Sequence, residues 1–220
     1  KQNYYADNKS LKEENEALKQ QIAEMEATVR QGEAASRENA FLRDLLDLRQ
    51  QRRDLSDFET ATVTERSVTN WTSSLTLDKG SAHGVEVGDC VIDGAGALVG
   101  RVSRVGYNWS TVLTVVDTDT SLGARVYRTQ DIGIAAGDFA LMGDGLLKLD
   151  SLPASAQLLE GDLVVTSGFG GYIPPDLVIG SVTELRAEDS DTTVYAVLTP
   201  AADLASLTEV CIIKSFEVVN

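Results

Sequence analysis

Ser167 stands before Gly168 in the stretch VTSGFGGYIPPDLVIG, Val165–Gly180, a loop with enough glycine and proline to hold an active site. A serine nucleophile needs a base within hydrogen-bond reach, itself oriented by a third group. The chain has a single histidine, His83, in KGSAHGVEVG, and nothing beside it ties it to a carboxylate. No G-x-S-x-G frame surrounds Ser167. A Ser–Lys pair requires a desolvated lysine, whereas Lys79, Lys148 and Lys214 stand in turn-like or strand-edge contexts. The two cysteines, Cys90 in GDCVID and Cys211 in EVCIIK, sit in apolar β-like runs without a C-x-x-C spacing. They read as buried thiols, and a disulfide between them would require the fold to bring those runs together. The acidic runs DTDT (Asp117–Thr120) and EDSD (Glu188–Asp191) lack the ligand order of a dedicated calcium loop. SGFGG is followed by prolines and a strand, not by the helix that a phosphate cradle must open. The sequence therefore predicts no catalytic residue, no cofactor and no metal.

What the stretch does predict is a shaped surface. Pro174 and Pro175 fix φ near −65° and remove two backbone donors, which keeps the loop out of a sheet. The glycines before them permit left-handed turns. Phe169, Tyr172 and Ile173, with Pro174 and Pro175, then form a candidate partner-binding loop, stiff and apolar as an interface anchor requires. The same side chains would serve equally as a plug for the end of a barrel.

Such a loop must be carried by something, and the chain divides into two parts. Before Leu55 there is one glycine, Gly32, and no proline; the other seventeen glycines and all four prolines come later. Tyr4, Asn8, Leu11, Asn15, Leu18, Ile22, Met25 and Val29 alternate spacings of four and three, a heptad seam with Asn8, Asn15, Ile22 and Val29 at a. Glu, Lys and Gln fill the other faces, so the helix calls for a partner helix. Asparagine at a positions favours a parallel dimer, with Leu11, Asn15, Leu18, Ile22, Met25 and Val29 as its interface. The seam fades at Gly32 and Ser36 and resumes out of phase with Phe41, Leu45 and Leu48. That second segment either marks a stutter or docks onto the following domain.

Beyond Phe58 the apolar period is two, in short runs bounded by Gly, Asp, Asn or Pro, which predicts a β sandwich or barrel. Gly88-Asp89-Cys90-Val91-Ile92 leads to Val99-Gly100-Arg101-Val102, and Gly161-Asp162-Leu163-Val164-Val165 leads to Ile179-Gly180-Ser181-Val182. The two copies predict two small β domains of related plan, joined near AGDFALMGDG, Ala136–Gly145, with a single larger sandwich as the alternative. The expected division is a coiled-coil helix over 1–55, a first barrel over 56–138, completed or not by C-terminal strands, and a second over 139–220. Acidic residues number 34 against 19 basic, and the excess lies after Leu55. That surface disfavours nucleic acid and anionic lipid.

Trp71, LTLDKGSAHGVEVGD (Leu75–Asp89), LVGRV (Leu98–Val102), GDLVVTSGFGGYIPPDLVIGSVTE (Gly161–Glu184) and PAADLASLTEV (Pro200–Val210) follow one another in an order that resembles the rod shape-determining protein MreC family. Asp176 and Val178 depart from it, standing where the family usually reads Gly and Pro. The resemblance implies a mainly β fold of two barrels behind an N-terminal coiled coil. It further implies a single-pass protein of the cell membrane, this region extracytoplasmic, with its membrane helix just upstream of Lys1. The expected role is a non-enzymatic scaffold of the elongation machinery. Its partners would be other copies of itself, a penicillin-binding transpeptidase, MreD and the MreB system. The competing expectation is a periplasmic adaptor of an export pump, which also joins coiled coil to β domains, though usually through an antiparallel helical hairpin.

Overall fold

The structure, a computed structural model, describes residues 2–69, 72–153, 155–187 and 194–217. Trp71, the acidic run Glu188–Asp191 and the side chains of Tyr4 and Asn8 lie outside them.

Helix α1 (Gln2–Gln51) is 50 residues long. Its Ala, Leu, Glu, Lys and Gln content favours this state, and Gly32 costs only about 1 kcal/mol relative to alanine. Arg49 in the last turn opposes the partial negative charge of the helix end. Residues 1–43 form one unit, and Asp44–Asn220 form the other, which holds the last two turns of α1 and all the strands. Within that second unit Leu45 is buried and Leu48 packs over Gly96, while Arg49 lies 5.9 Å above the Phe58 ring. Leu42 and Leu46 are exposed. For Leu45 and Leu48, docking onto the β region is what the structure shows.

The β region consists of two closed six-stranded barrels. The first contains β1 (Leu55–Val68), β2 (Ser73–Leu77), β3 (Cys90–Ile92), β4 (Leu98–Val105), β5 (Ser110–Thr114) and β12 (Glu209–Phe216), in the order β1-β12-β3-β4-β5-β2. The second contains β6 (Ser121–Val126), β7 (Ile132–Ala136), β8 (Leu147–Asp150), β9 (Leu163–Thr166), β10 (Val178–Ala187) and β11 (Val194–Pro200), in the order β10-β11-β8-β7-β6-β9. In each ring every strand has a hydrogen-bonded neighbour on either side. Strand alternation sends Leu75, Leu77, Val91, Val99, Val112, Val210 and Ile212 into the first barrel's core. Each such side chain contributes about 1.5–3 kcal/mol by its burial. Cys90 and Cys211 belong to the opposite face of β3 and β12 yet are also buried, Cys211 near Arg49 at the end of α1.

Pairing β3 with β9 and β4 with β10 makes the repeat explicit. In the first barrel the Gly88 amide bonds the Val102 carbonyl and the Val102 amide bonds the Asp89 carbonyl; in the second, Gly161 bonds Val182 and Val182 bonds Asp162. Asp89 accepts from the Glu86 amide and Asp162 from the Leu159 amide, both at 2.9 Å. Carried round both sheets, the match sets β5 against β11, β2 against β8, β1 against β7 and β12 against β6, and the closed orders coincide. The first barrel is thus a circular permutant of the second, with its opening strand supplied by the end of the chain.

This topology corrects the expected boundary at 138/139: β6 and β7, before it, belong to the second barrel, while β12, after it, closes the first, the C-terminal completion that the sequence had left open. The segment Ala136–Gly145 does not join the barrels but lies within the second, holding the short helix α2 (Phe139–Met142), whose N-cap is Asp138. Its glycines serve other needs: Gly137 passes so close to the Asp117 carbonyl that any side chain would collide with it. The chain crosses between barrels in the segments between β5 and β6 and between β11 and β12. The first is clasped by the buried Asp117, whose carboxylate accepts from the Ser73 amide at 2.6 Å and the Asp119 amide at 2.9 Å. DTDT is thus a structural turn.

Candidate partner-binding loop

The loop between β9 and β10 is built around Thr166, a fully buried residue that no sequence motif marked. Its hydroxyl donates to the Pro174 carbonyl at 2.6 Å and accepts from the Leu177 amide at 2.9 Å. Its backbone amide donates to the Leu177 carbonyl and its carbonyl accepts from the Asp176 amide. Two prolines in succession remove two amide donors from this segment, and a side-chain hydroxyl completes the closure. Gly168, Gly170 and Gly171 all have left-handed φ values of 70–85°. At Gly168 an added Cβ would sit 2.8 Å from Pro175 Cβ, so the tight return depends on glycine there.

Ser167 shapes the same turn. Its amide donates to the Gly123 carbonyl and its hydroxyl accepts from the Phe169 amide at 3.3 Å. His83 lies on a short 3-10 turn (Ser81–His83) of the first barrel, its Nδ1 accepting from the Gly80 amide at 3.4 Å. The two residues of the hydrolase reading therefore sit on different barrels. Burial pushes both Cys90 and Cys211 up to about 12, and both are free thiols.

Pro174 is buried and Ile173 and Pro175 are partly buried, whereas Phe169 is 69% and Tyr172 78% exposed. Those two aromatics do not plug the barrel; the glycine turns carry them outward. Outside the barrel, Arg52 donates to the Pro175 carbonyl at 2.8 Å and the Asp176 carbonyl at 3.1 Å. The same guanidinium holds Asp54 by two bonds of 2.7 and 2.9 Å, and these keep that carboxyl below its usual range. Arg125 on β6 pairs with the Asp176 carboxylate. Asp176 itself has φ 61°, the left-handed conformation that glycine adopts without cost.

The shorter counterpart is the β3–β4 turn, where Asp93 accepts from the Ala95 and Ala97 amides. The two turns meet: Ala97 forms a parallel bridge with Val178 across the barrels. Elsewhere between the barrels lies an apolar cleft of about 540 Å³, lined by Arg66, Val68, Val116, Met142, Pro200 and Leu204 among others. Arg66 closes one wall by donating to the Leu204 and Leu207 carbonyls. Sequence spacing could not reveal this cleft, because its walls come from strands far apart in the chain.

The helix carries the other predicted surface. Leu11, Asn15, Leu18, Ile22, Met25 and Val29 are all exposed, Met25 to 68%. Among the described residues, no helix is long and apolar enough to cross a membrane.

The barrel core of the rod shape-determining protein MreC family matches residues 63–214. The cell shape-determining protein MreC of Listeria monocytogenes is 32% identical over 215 residues, spanning 96% of this chain and 69% of that one. A solved structure of MreC superimposes with a TM-score of 0.72 at 27% identity, covering 82% of this chain and 99% of the other. The fold also matches a structure described as a complex between penicillin-binding protein PBP2 and MreC from Helicobacter pylori. There the TM-score is 0.55 at 18% identity, with 72% and 99% coverage. With its paired barrels, its shared blocks and a family match over most of its length, the chain belongs to the MreC family of rod shape-determining proteins.

Proposed function

We propose that this chain is a non-enzymatic scaffold of the bacterial cell-elongation machinery, held on the outer side of the cytoplasmic membrane. It dimerises through α1 and recruits peptidoglycan synthases with its barrels. One observation carries the reading: the seam from Leu11 to Val29 is exposed along its whole length on a single chain. A narrow apolar stripe at heptad spacing is buried by a second helix, and Asn15 at an a position selects the parallel pair. Pairing raises the local concentration of the heads, so modest barrel contacts suffice to organise an assembly that includes further copies, MreD and the MreB system. The exposed Phe169 and Tyr172 are the proposed contacts for a penicillin-binding transpeptidase. The PBP2 complex of the Helicobacter pylori relative supports that class of partner.

The test is the solution mass of the chain and of the Leu18→Glu, Ile22→Glu double variant. A dimer that becomes a monomer is expected; a monomer in both cases overturns the proposal. In the dimer, Phe169→Ala and Tyr172→Ala should weaken transpeptidase capture while the barrels stay folded. Capture at full strength would remove the loop from the interface.

A further inference from the structure

Arg52 is where the end of α1 reaches the second barrel. The loop Gly168–Asp176 presents three successive carbonyls, at Pro174, Pro175 and Asp176, that take their bonds from side chains. Thr166 satisfies the first from inside the barrel, and Arg52 satisfies the other two from outside. A guanidinium suits this because its donors form a rigid planar fork, here divided between Asp54 and two carbonyls. A lysine ammonium, a point donor on a flexible stem, cannot span the same set.

The helix end, in turn, sets the position of Arg52. Its amide donates to the Leu48 carbonyl at 2.7 Å, continuing the α-helical ladder, and its carbonyl accepts from the Leu55 amide where β1 begins. Leu48 fits over Gly96, where an added Cβ would lie 2.8 Å from Leu48 Cδ1. Gly96 belongs to the very turn whose Ala97 bridges Val178 of β10. One helical turn thus contacts the short turn of the first barrel through Leu48 and the long loop of the second through Arg52.

We propose that Arg52 is the positioning residue of this loop: it couples the ordered last turn of α1 to the shape in which Phe169 and Tyr172 are presented. The inference rests on the reading of the loop as a partner surface, but its first readout does not need a partner. Arg52 gives the loop that carries these two exposed aromatics a support from the helix end as well as from its own barrel.

Amide hydrogen exchange on the whole chain tests it, comparing wild type with Arg52→Ala, Arg52→Lys and Arg52→Gln. The Gly171, Asp176 and Leu177 amides, which bond Gly168, Thr166 carbonyl and Thr166 hydroxyl, should exchange about tenfold faster in Arg52→Ala, with partial recovery in Arg52→Lys. The Val182 and Ile212 amides in the barrels should keep their protection. Unchanged exchange in the loop overturns the proposal. If Arg52→Ala loses protection in the barrels as well, Arg52→Gln, which keeps a neutral polar side chain at the helix end, decides: fast exchange confined to the loop supports the proposal, and exchange as in wild type overturns it. Transpeptidase capture is measured in parallel and should fall about tenfold with Arg52→Ala. Faster loop exchange with undiminished capture keeps Arg52 as the positioning residue and instead removes the loop from the partner interface.

Discussion

Arg128 holds Asp162 with two hydrogen bonds of 2.7 Å, Nε to Oδ1 and Nη2 to Oδ2, fixing the turn that opens β9. The residue at the same place in the first barrel is Lys214. Val126 lies opposite Val164 as Ile212 lies opposite Val91, and two residues on come Arg128 and Lys214. Lys214 turns instead to Asp57, at 3.3 Å, and to the His83 carbonyl. The same aspartate of the repeat therefore lives in two electrostatic settings. The Arg128 bonds lower Asp162, whereas burial raises Asp89.

The two carboxylates should respond to acid with opposite sign. Asp162 titrates lower folded than unfolded, so its stabilisation is complete above the unfolded value near 4 and is lost as pH falls through the folded one. Asp89 titrates higher when folded; its contribution is present below the unfolded value and is lost as pH rises through the folded one. Asp162→Asn should lower the thermal midpoint at pH 7 and flatten the decline between about pH 4 and pH 2. Asp89→Asn should leave the neutral-pH midpoint unchanged or raised. Calorimetry from pH 2 to pH 8 checks both, and equal losses at pH 7 would contradict the contrast.

Gly100 and Gly180 occupy matching positions in the repeat. At each, an added Cβ would fall well inside contact distance of a neighbouring carbonyl oxygen, that of Leu113 and that of Thr199. Backbone oxygens in a closed barrel cannot step aside as a flexible side chain can, so Gly100→Ala and Gly180→Ala should each cost about 3 kcal/mol or more. Gly143→Ala, where nothing lies within 4 Å of the new atom, is the control and should change stability by less than about 0.5 kcal/mol. Urea denaturation midpoints measure all three.

Asp176→Gly should stabilise the chain slightly. A non-glycine residue at φ 61° carries a backbone cost of about 1 kcal/mol. The carboxylate it brings is half exposed, and its pair with Arg125 offsets between about 0 and 1 kcal/mol. Asp176→Val keeps the unfavourable conformation, adds β-branching and loses the pair, so it should lose about 2 kcal/mol. Equal midpoints for the Gly and Val variants would refute this account of the loop.

Cys90 and Cys211 should resist thiol reagents in the folded protein. With thiol values pushed up to about 12, little thiolate is present at pH 8, and both side chains are buried. An assay with Ellman's reagent should find two slow thiols in native buffer and two fast ones in denaturant. Rapid native reaction of either would mean that β3 and β12 open readily.

Much of this architecture could be read in the chain because it is written in local periods. Spacings of three and four in a segment with a single glycine make α1 a helix with one apolar seam, and alternation by two makes the strands after Leu55. The paired Gly-Asp…Gly-x-Val blocks announced related domains because left-handed φ at Gly88 and Gly161 and tight backbone approaches at Gly100 and Gly180 demand glycine at matching places. Period tells which face a residue occupies, however, and not which strand lies beside it. The 14 residues of β1 read poorly as a strand because Asp, Glu, Thr and Arg crowd its outer face. Only closure of the sheet shows that β12, more than a hundred residues away, lies between β1 and β3. Tertiary structure alone likewise turned Lys214 away from Asp89, seated Leu48 on Gly96 and carried Arg52 to the loop of the second barrel. Those contacts join segments whose separation in sequence leaves no local pattern, and they form only once the barrels bring them within reach.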